Sequence, residues 1–111
     1  MKIEYMREYI VLANTLNFTN AANILFITQP ALSRHIALVE EEIGAQLFIR
    51  TKHYVTLTRV GESVLKEFRQ VIDQYDKLLN RIPQMNKGFT GELRIAMHHY
   101  AVESYMSTVI D

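Results

Sequence analysis

Thr28-Gln29-Pro30-Ala31-Leu32-Ser33-Arg34-His35-Ile36-Ala37 is the stretch whose reading decides the fold. Thr28 is a good N-cap, because its hydroxyl can accept from a backbone N–H one turn in, and Pro30 falls in the first turn, where a missing N–H costs nothing. Ile27, just outside the cap, is placed to pack on Leu32 as a hydrophobic staple. From there Leu32, Ile36, Val39 and Ile43 recur at steps of four, three and four and make a narrow core-facing stripe. At about 100° per residue, Gln29, Pro30, Ser33, Arg34 and Ala37 fall on the other side. The expectation is therefore a capped helix with one buried face and an outer face that is polar within its first two turns.

The chemistry of that outer face is selective. Glutamine pairs with an adenine edge, arginine with guanine, serine with either a base or a phosphate, and small residues permit close approach to a duplex. An ordinary solvated face would carry similar residues, so the surroundings decide between the two.

Working backwards, residues 3–16 place Ile3, Met6, Ile10 and Ala13 on one stripe and Tyr5, Tyr9, Leu12 and Leu16 on its neighbour, which predicts a broadly buried helix. Asn14 to Asn17 loosen the chain. Thr19 then reads as the cap of a short helix, Asn20 to Leu25, in which Ala21 and Ala22 allow close contact with the helix that follows Phe26 and Ile27. Two short helices, a tight turn and an exposed polar second helix make a helix-turn-helix over about residues 18–37.

Working forwards, Gly44 stops the central helix. Ala45 to Arg50 and Tyr54 to Leu57 alternate apolar and polar residues on either side of Thr51-Lys52-His53, which predicts a small hairpin with a basic tip that lacks glycine. Arg50, Lys52 and His53 would meet phosphate if this hairpin lies as a wing beside a duplex. Thr58 caps a long helix over 59–82. There Val64, Phe68, Val71, Tyr75, Leu78 and Ile82 alternate steps of four and three, the period of a coiled-coil seam, and core packing against the same chain is the alternative. Pro83 is expected to end this helix. Residues 84–91 read as a hinge, and residues 92–111 as a strand and a helix that open a second, larger α/β unit.

Composition sets the bounds. The 111 residues suit one modest domain with an appendage, and 49% are apolar, enough for a core. Absence of cysteine excludes disulfides and thiolate metal sites and fits a reducing cytoplasm. No apolar run reaches the ~18 residues of a membrane span. Catalytic signatures are missing too: no phosphate-cradling glycine loop, nucleophile elbow or HExxH stands in the chain, which argues against an enzyme. His98 and His99 would point to opposite faces of a strand and make no ligand pair, and His35 reads as a surface residue of the central helix.

Charge is the discordant feature. Twelve cations balance twelve anions, and up to Thr58 Lys2, Arg7, Arg34, Arg50 and Lys52 face Glu4, Glu8, Glu40, Glu41 and Glu42. Nucleic-acid binders usually carry a basic excess. Placement must compensate, with Glu40 to Glu42 at the far end of the central helix.

Taken together, Phe18-Thr19-x-Ala21-Ala22-x-x-Leu25, Thr28-Gln29-Pro30-Ala31-Leu32-Ser33-Arg34, Gly44-x-x-Leu47-Phe48-x-Arg50 and Leu57-Thr58-x-x-Gly61 resemble the N-terminal DNA-binding domain of the LysR-type transcriptional regulators. Gly91-Glu92-Leu93-Arg94-Ile95 resembles the opening strand of that family's effector-binding domain. The resemblance implies a mainly α winged helix-turn-helix (residues 1–58), a linker helix (59–83) that dimerises, and sequence-specific binding of interrupted palindromes in double-stranded DNA as a homodimer or tetramer. It implies no cofactor and no metal, and a small-molecule inducer only where the effector domain is present. By residue it implies base reading by Gln29, Pro30, Ser33 and Arg34, backbone contacts from Thr28, Arg50 and Thr58, a wing carrying Lys52 and His53, and a dimer seam of Val64, Phe68, Val71, Tyr75, Leu78 and Ile82. Thr28 stands where serine is commoner, His53-Tyr54 replace a basic residue and glycine, and Arg59-Val60 replace a small residue or proline. The alternative, favoured by charge neutrality, is a dimerising interaction module that does not read DNA.

Overall fold

The computed structural model describes residues 1–85, in the order α1 (Ile3–Thr15), α2 (Phe18–Leu25), α3 (Gln29–Ile43), β1 (Phe48–Arg50), β2 (Val55–Leu57) and α4 (Arg59–Met85). The fold is mainly α, a winged helix-turn-helix followed by a long helix. The remainder of the expected hinge, 86–91, and the strand and helix expected over 92–111 lie outside the described residues.

The first three helices pack on one another around Tyr9, Leu12, Ala21, Ala22, Leu32, Ile36 and Val39, all buried. Ala21 and Ala22 present only methyl groups, so α2 lies close to its neighbours, as their small size predicts. Leu47, Phe48 and Val55 close the core from the hairpin side and Phe68 from α4. The hairpin is antiparallel, with Phe48 opposite Leu57, Ile49 opposite Thr56 and Arg50 opposite Val55.

Capping works largely as the sequence indicates. Thr28 Oγ1 accepts from the Ala31 N–H at 3.2 Å, and Thr58 Oγ1 from the Gly61 N–H at 2.9 Å. Gly44 closes α3 at φ 82°, where a side chain would be strained. Gly61 is required for a different reason: a Cβ there would collide with the Leu47 carbonyl oxygen. The Gly61 carbonyl in turn accepts from Tyr9 Oη at 2.7 Å, tying α4 to α1.

Five expectations need correction. Asn17, not Thr19, caps α2; its backbone is extended and its Oδ1 accepts from the Asn20 N–H at 2.8 Å, so Phe18 and Thr19 are already helical. Leu16 and Ile43, assigned to buried stripes, are exposed, Leu16 because it turns left-handed at the end of α1 and Ile43 because it stands at the last turn of α3. Pro83 does not end α4. The ring removes one N–H and crowds one carbonyl, but so near the terminus little helix depends on that bond, and Gln84 and Met85, expected in the hinge, remain helical. His35 is no open surface residue: its Nδ1 lies 2.7 Å from Glu8 Oε1, and its ring stacks on Tyr5 with centroids 4.4 Å apart.

The fifth correction concerns Phe68. Its ring meets Tyr9 edge-on at 5.1 Å in the chain's own core and is only 6% exposed, so it cannot serve as a seam to another molecule. Val64 also packs against this core. The heptad period merges two apolar stripes, one facing α1 and one facing outward, because a run of steps of four and three does not reveal which neighbour each residue meets.

Candidate nucleic-acid interface

The outward face of α3 begins at its cap. Thr28, Gln29, Pro30 and Arg34 are exposed, while Leu32 and Ile36, on the opposite side, are buried. The Thr28 hydroxyl accepts from the helix and keeps its proton for an outside acceptor. Arg34 makes no ion pair or hydrogen bond within the described residues, so its five donors face water.

Two of the outward residues are held from neighbouring elements. Arg50, at the end of β1, lays its guanidinium 3.9 Å from the centroid of the Phe18 ring, and its NH1 donates to Ser33 Oγ at 3.1 Å. Thr19 Oγ1 in α2 lies 3.1 Å from Gln29 Oε1 and donates to it. The structure thus brings Gln29, Ser33 and Arg50 into one surface with Phe18 and Thr19 as supports. Phe18 and Thr19 escape attention in the sequence because one looks like plain core and the other like a cap.

Lys52 and His53 are exposed at the hairpin tip. Without glycine, Thr51 makes the turn: its N–H donates to the Tyr54 carbonyl at 2.9 Å, and its hydroxyl accepts from the Tyr54 N–H at 3.1 Å. Thr58 sits apart from the other site residues. Its one hydroxyl proton goes to the Gln46 carbonyl at 2.8 Å, which spends it inside the fold.

The anions of the first 58 residues are placed away from this face. Glu40 Oε2 accepts from the backbone N–H groups of Leu47 and Phe48 at 2.7 and 3.1 Å, and Glu8 is buried against His35. Burial pushes the Glu8 carboxyl above the usual carboxylate range, opposed by its hydrogen bond and charge interaction with His35 and reinforced by Glu4. Burial likewise raises the Tyr9 phenol, with Glu40 adding to the effect. Glu42 meets the N-terminal ammonium at 3.2 Å, at the far end of α3. Glu41 is seven residues beyond Arg34, about 10 Å along the axis. The end of α3 that carries Gln29 and Arg34 is left with Arg34, Arg50 and Lys52 and little opposing charge.

Among the described residues no cluster of three or more metal-ligating side chains forms, and no helix is long and apolar enough to cross a membrane.

Comparisons with known proteins agree with this geometry. Residues 3–62 match the family described as bacterial regulatory helix-turn-helix protein, lysR family. The uncharacterized HTH-type transcriptional regulator YbhD of Escherichia coli (strain K12) is 38% identical over 109 residues, 98% of this chain and 34% of that protein. The chain spans about a third of the length of YbhD and of the Escherichia coli relatives YnfL and XapR. Among solved structures, a BenM DNA-binding domain in a complex with catB site 1 DNA superposes with a TM-score of 0.74 at 29% identity, covering 81% of this chain and all of that one. DarR of Vibrio fischeri, solved in complex with DNA, superposes at 0.75 and 30% identity over 78% of this chain and 30% of its own. With its helix-turn-helix, its wing and a family match over more than half its length, this chain belongs to the lysR family of bacterial regulatory helix-turn-helix proteins.

Proposed function

We propose that this chain is the DNA-binding part of a LysR-type transcription regulator that works in the cytoplasm, binds a specific sequence in double-stranded DNA and is not an enzyme. One observation carries the reading: the first two turns of α3 expose Gln29, Pro30 and Arg34 beside a guanidinium-braced Ser33, while the opposite face of the same helix is buried. Such a helix can enter a major groove N-terminus first and bring an amide, a hydroxyl and a guanidinium to base edges. Thr28 and Arg50 then reach the sugar–phosphate backbone, and Lys52 and His53 follow it from the wing. Thr58 serves the fold instead. DNA complexes of BenM and DarR with the same architecture support this assignment.

Residues 1–58 form the reading unit, the outward apolar residues of α4 join two copies, and the chain continues through a hinge that begins after Met85 into an effector-binding domain that opens at 92–111 and, when whole, takes a small-molecule inducer. Dimers place two α3 helices on the halves of an interrupted palindrome, and tetramers extend the same arrangement. The rival reading, an interaction module that ignores sequence, drew its strength from charge neutrality. Placement weakens it: Glu8 and Glu40 are engaged inside the fold, as Arg7 is among the cations, while Arg34 and Lys52 stay exposed.

The test begins with selection of bound sites from a random DNA pool, which should return a two-fold motif. On the selected site Arg34→Ala should weaken binding by about 1–3 kcal/mol and relax preference at one base pair per half-site. Unchanged affinity for the selected site, or a pool that never converges, would overturn the reading.

A further inference from the structure

Thr19 is a residue whose evident role turned out to be occupied. Asn17 caps α2, so the Thr19 hydroxyl is free of the helix terminus, and it crosses the turn of the motif to donate to Gln29 Oε1 at 3.1 Å. Both side chains are exposed, so the bond closes no cavity and covers no buried polar group. Its effect falls on the orientation of one amide.

That orientation matters for base reading. A free glutamine amide can turn either end outward, presenting its carbonyl to a donor such as cytosine N4 or its NH2 to an acceptor, or both together to adenine. A hydroxyl that donates to Oε1 holds the carbonyl back toward α2 and leaves the NH2 group forward. Guanine offers N7 and O6 acceptors in the major groove, and thymine offers O4. We propose that Thr19 is a positioning residue that fixes the Gln29 amide with its NH2 outward, so that the base Gln29 meets is selected for a major-groove acceptor, as guanine, thymine and adenine N7 supply, over cytosine, which supplies none. The proposal rests on the reading of α3 as the helix that enters the groove.

Ser33 supplies a parallel. It too is held by a side chain from outside its own helix, Arg50 from β1, whereas Arg34 is held by none among the described residues. Two readers on this face are thus oriented from neighbouring elements and one turns freely, so the effect of losing the Thr19 brace should appear at one base pair only.

The experiment is site selection from a random DNA pool, with sequencing, on the 111-residue chain and its Thr19→Val, Thr19→Ser and Gln29→Ala variants. Valine keeps the shape of threonine and removes the hydroxyl, and serine restores it. Gln29→Ala locates the base pair that Gln29 reads. At that pair Thr19→Val should lower the preference for guanine or thymine over cytosine by about tenfold, within the range of a single amide contact. Thr19→Ser should keep the parental preference, and every other position should stay as it was. Circular dichroism melts of all variants should coincide with the parent, since both residues lie at the surface.

A flattened position in Gln29→Ala with an unchanged one in Thr19→Val would overturn the role of Thr19 and leave base reading by Gln29 standing. No altered position in Gln29→Ala would overturn base reading by Gln29, and the role of Thr19 with it. A general loss of preference at all positions in Thr19→Val, not restored by serine, would mark a structural effect and overturn the proposal.

Discussion

The two halves of α4 carry the same apolar period and do different work. From Gly61 to Asp76 the helix is bound to α1: Phe68 meets Tyr9 in the core, Arg69 donates to Asn14 Oδ1 at 2.7 Å, and Asp76 pairs with the buried Arg7 guanidinium at 2.6 Å, which also lies over the Tyr75 ring. Beyond Asp76, Leu78 and Met85 are exposed, by 42% and 59%. A single heptad pattern therefore stabilises the domain chiefly over its first half, where Val71 still faces outward, and offers an uncovered apolar surface chiefly over its second. The boundary is set by the length of α1, which runs from Ile3 to Thr15, about 20 Å. α4, at 27 residues and about 40 Å, is twice as long as the helix it leans on.

The largest effect expected from this contrast lies in the first half. Phe68→Ala removes a ring from a core that also seats Tyr9 and Phe48, and should cost about 3–5 kcal/mol. Since small domains hold about 5–15 kcal/mol in all, urea titration should find the variant close to unfolding. A loss under about 1 kcal/mol would show that α4 is not part of the domain core and would erase the difference between its halves.

How much of this was legible beforehand follows the range of each signal. Thr28, Pro30, Gly44 and Thr58 act within one turn of the backbone, so residue type alone announces them. The period of α3 likewise places Leu32, Ile36 and Val39 inside, and Gln29, Ser33 and Arg34 outside, and the structure buries the first three, exposes Gln29 and Arg34 and leaves Ser33 half-buried. What escaped were facts about neighbours distant in sequence. Phe68 reads as seam because its partner Tyr9 is 59 positions away, and Glu8 reads as one more anion and His35 as a surface residue because α1 and α3 must first cross. Arg50 reads as a phosphate contact, and its stacking on Phe18 emerges only when β1 is folded onto α2. Thr19 was misread locally, since Asn17 competes for the same cap two residues earlier.

Arg7 and Glu8, adjacent on α1, give a smaller and sharper test. One turns toward α4 and the other toward α3, so a change at Glu8 should leave the α4 contrast untouched. Its carboxyl is raised by burial, which means the neutral form suits the folded state better than the unfolded one. A group raised in this way favours folding at acid pH, and the advantage is lost as pH rises through its folded value. At pH 8, where imidazoles are ordinarily neutral, Glu8→Gln should therefore melt higher than the parent, by no more than a few degrees. The gap should close as pH falls toward 4, where the parent carboxyl is protonated as well. A variant that melts lower than the parent at pH 8 would show that the pairing with His35 outweighs the burial of the charge.

Leu78→Glu completes the series, with the least effect on the folded domain and the most on association. Leu78 stands two residues past the Asp76 ion pair on the uncovered side of the helix, so the melting of the domain itself should shift by less than about 0.5 kcal/mol. A carboxylate at the centre of an apolar seam between two α4 helices would have to be desolvated without a partner. Sedimentation velocity should accordingly show Leu78→Glu as a monomer at concentrations where the parent is a dimer. Binding to a selected palindrome should then fall further than binding to a half-site, since linking two half-site contacts multiplies their affinities only while the copies stay joined. If the variant sediments as the parental dimer, the copies meet elsewhere, and the exposed half of α4 is not what joins them.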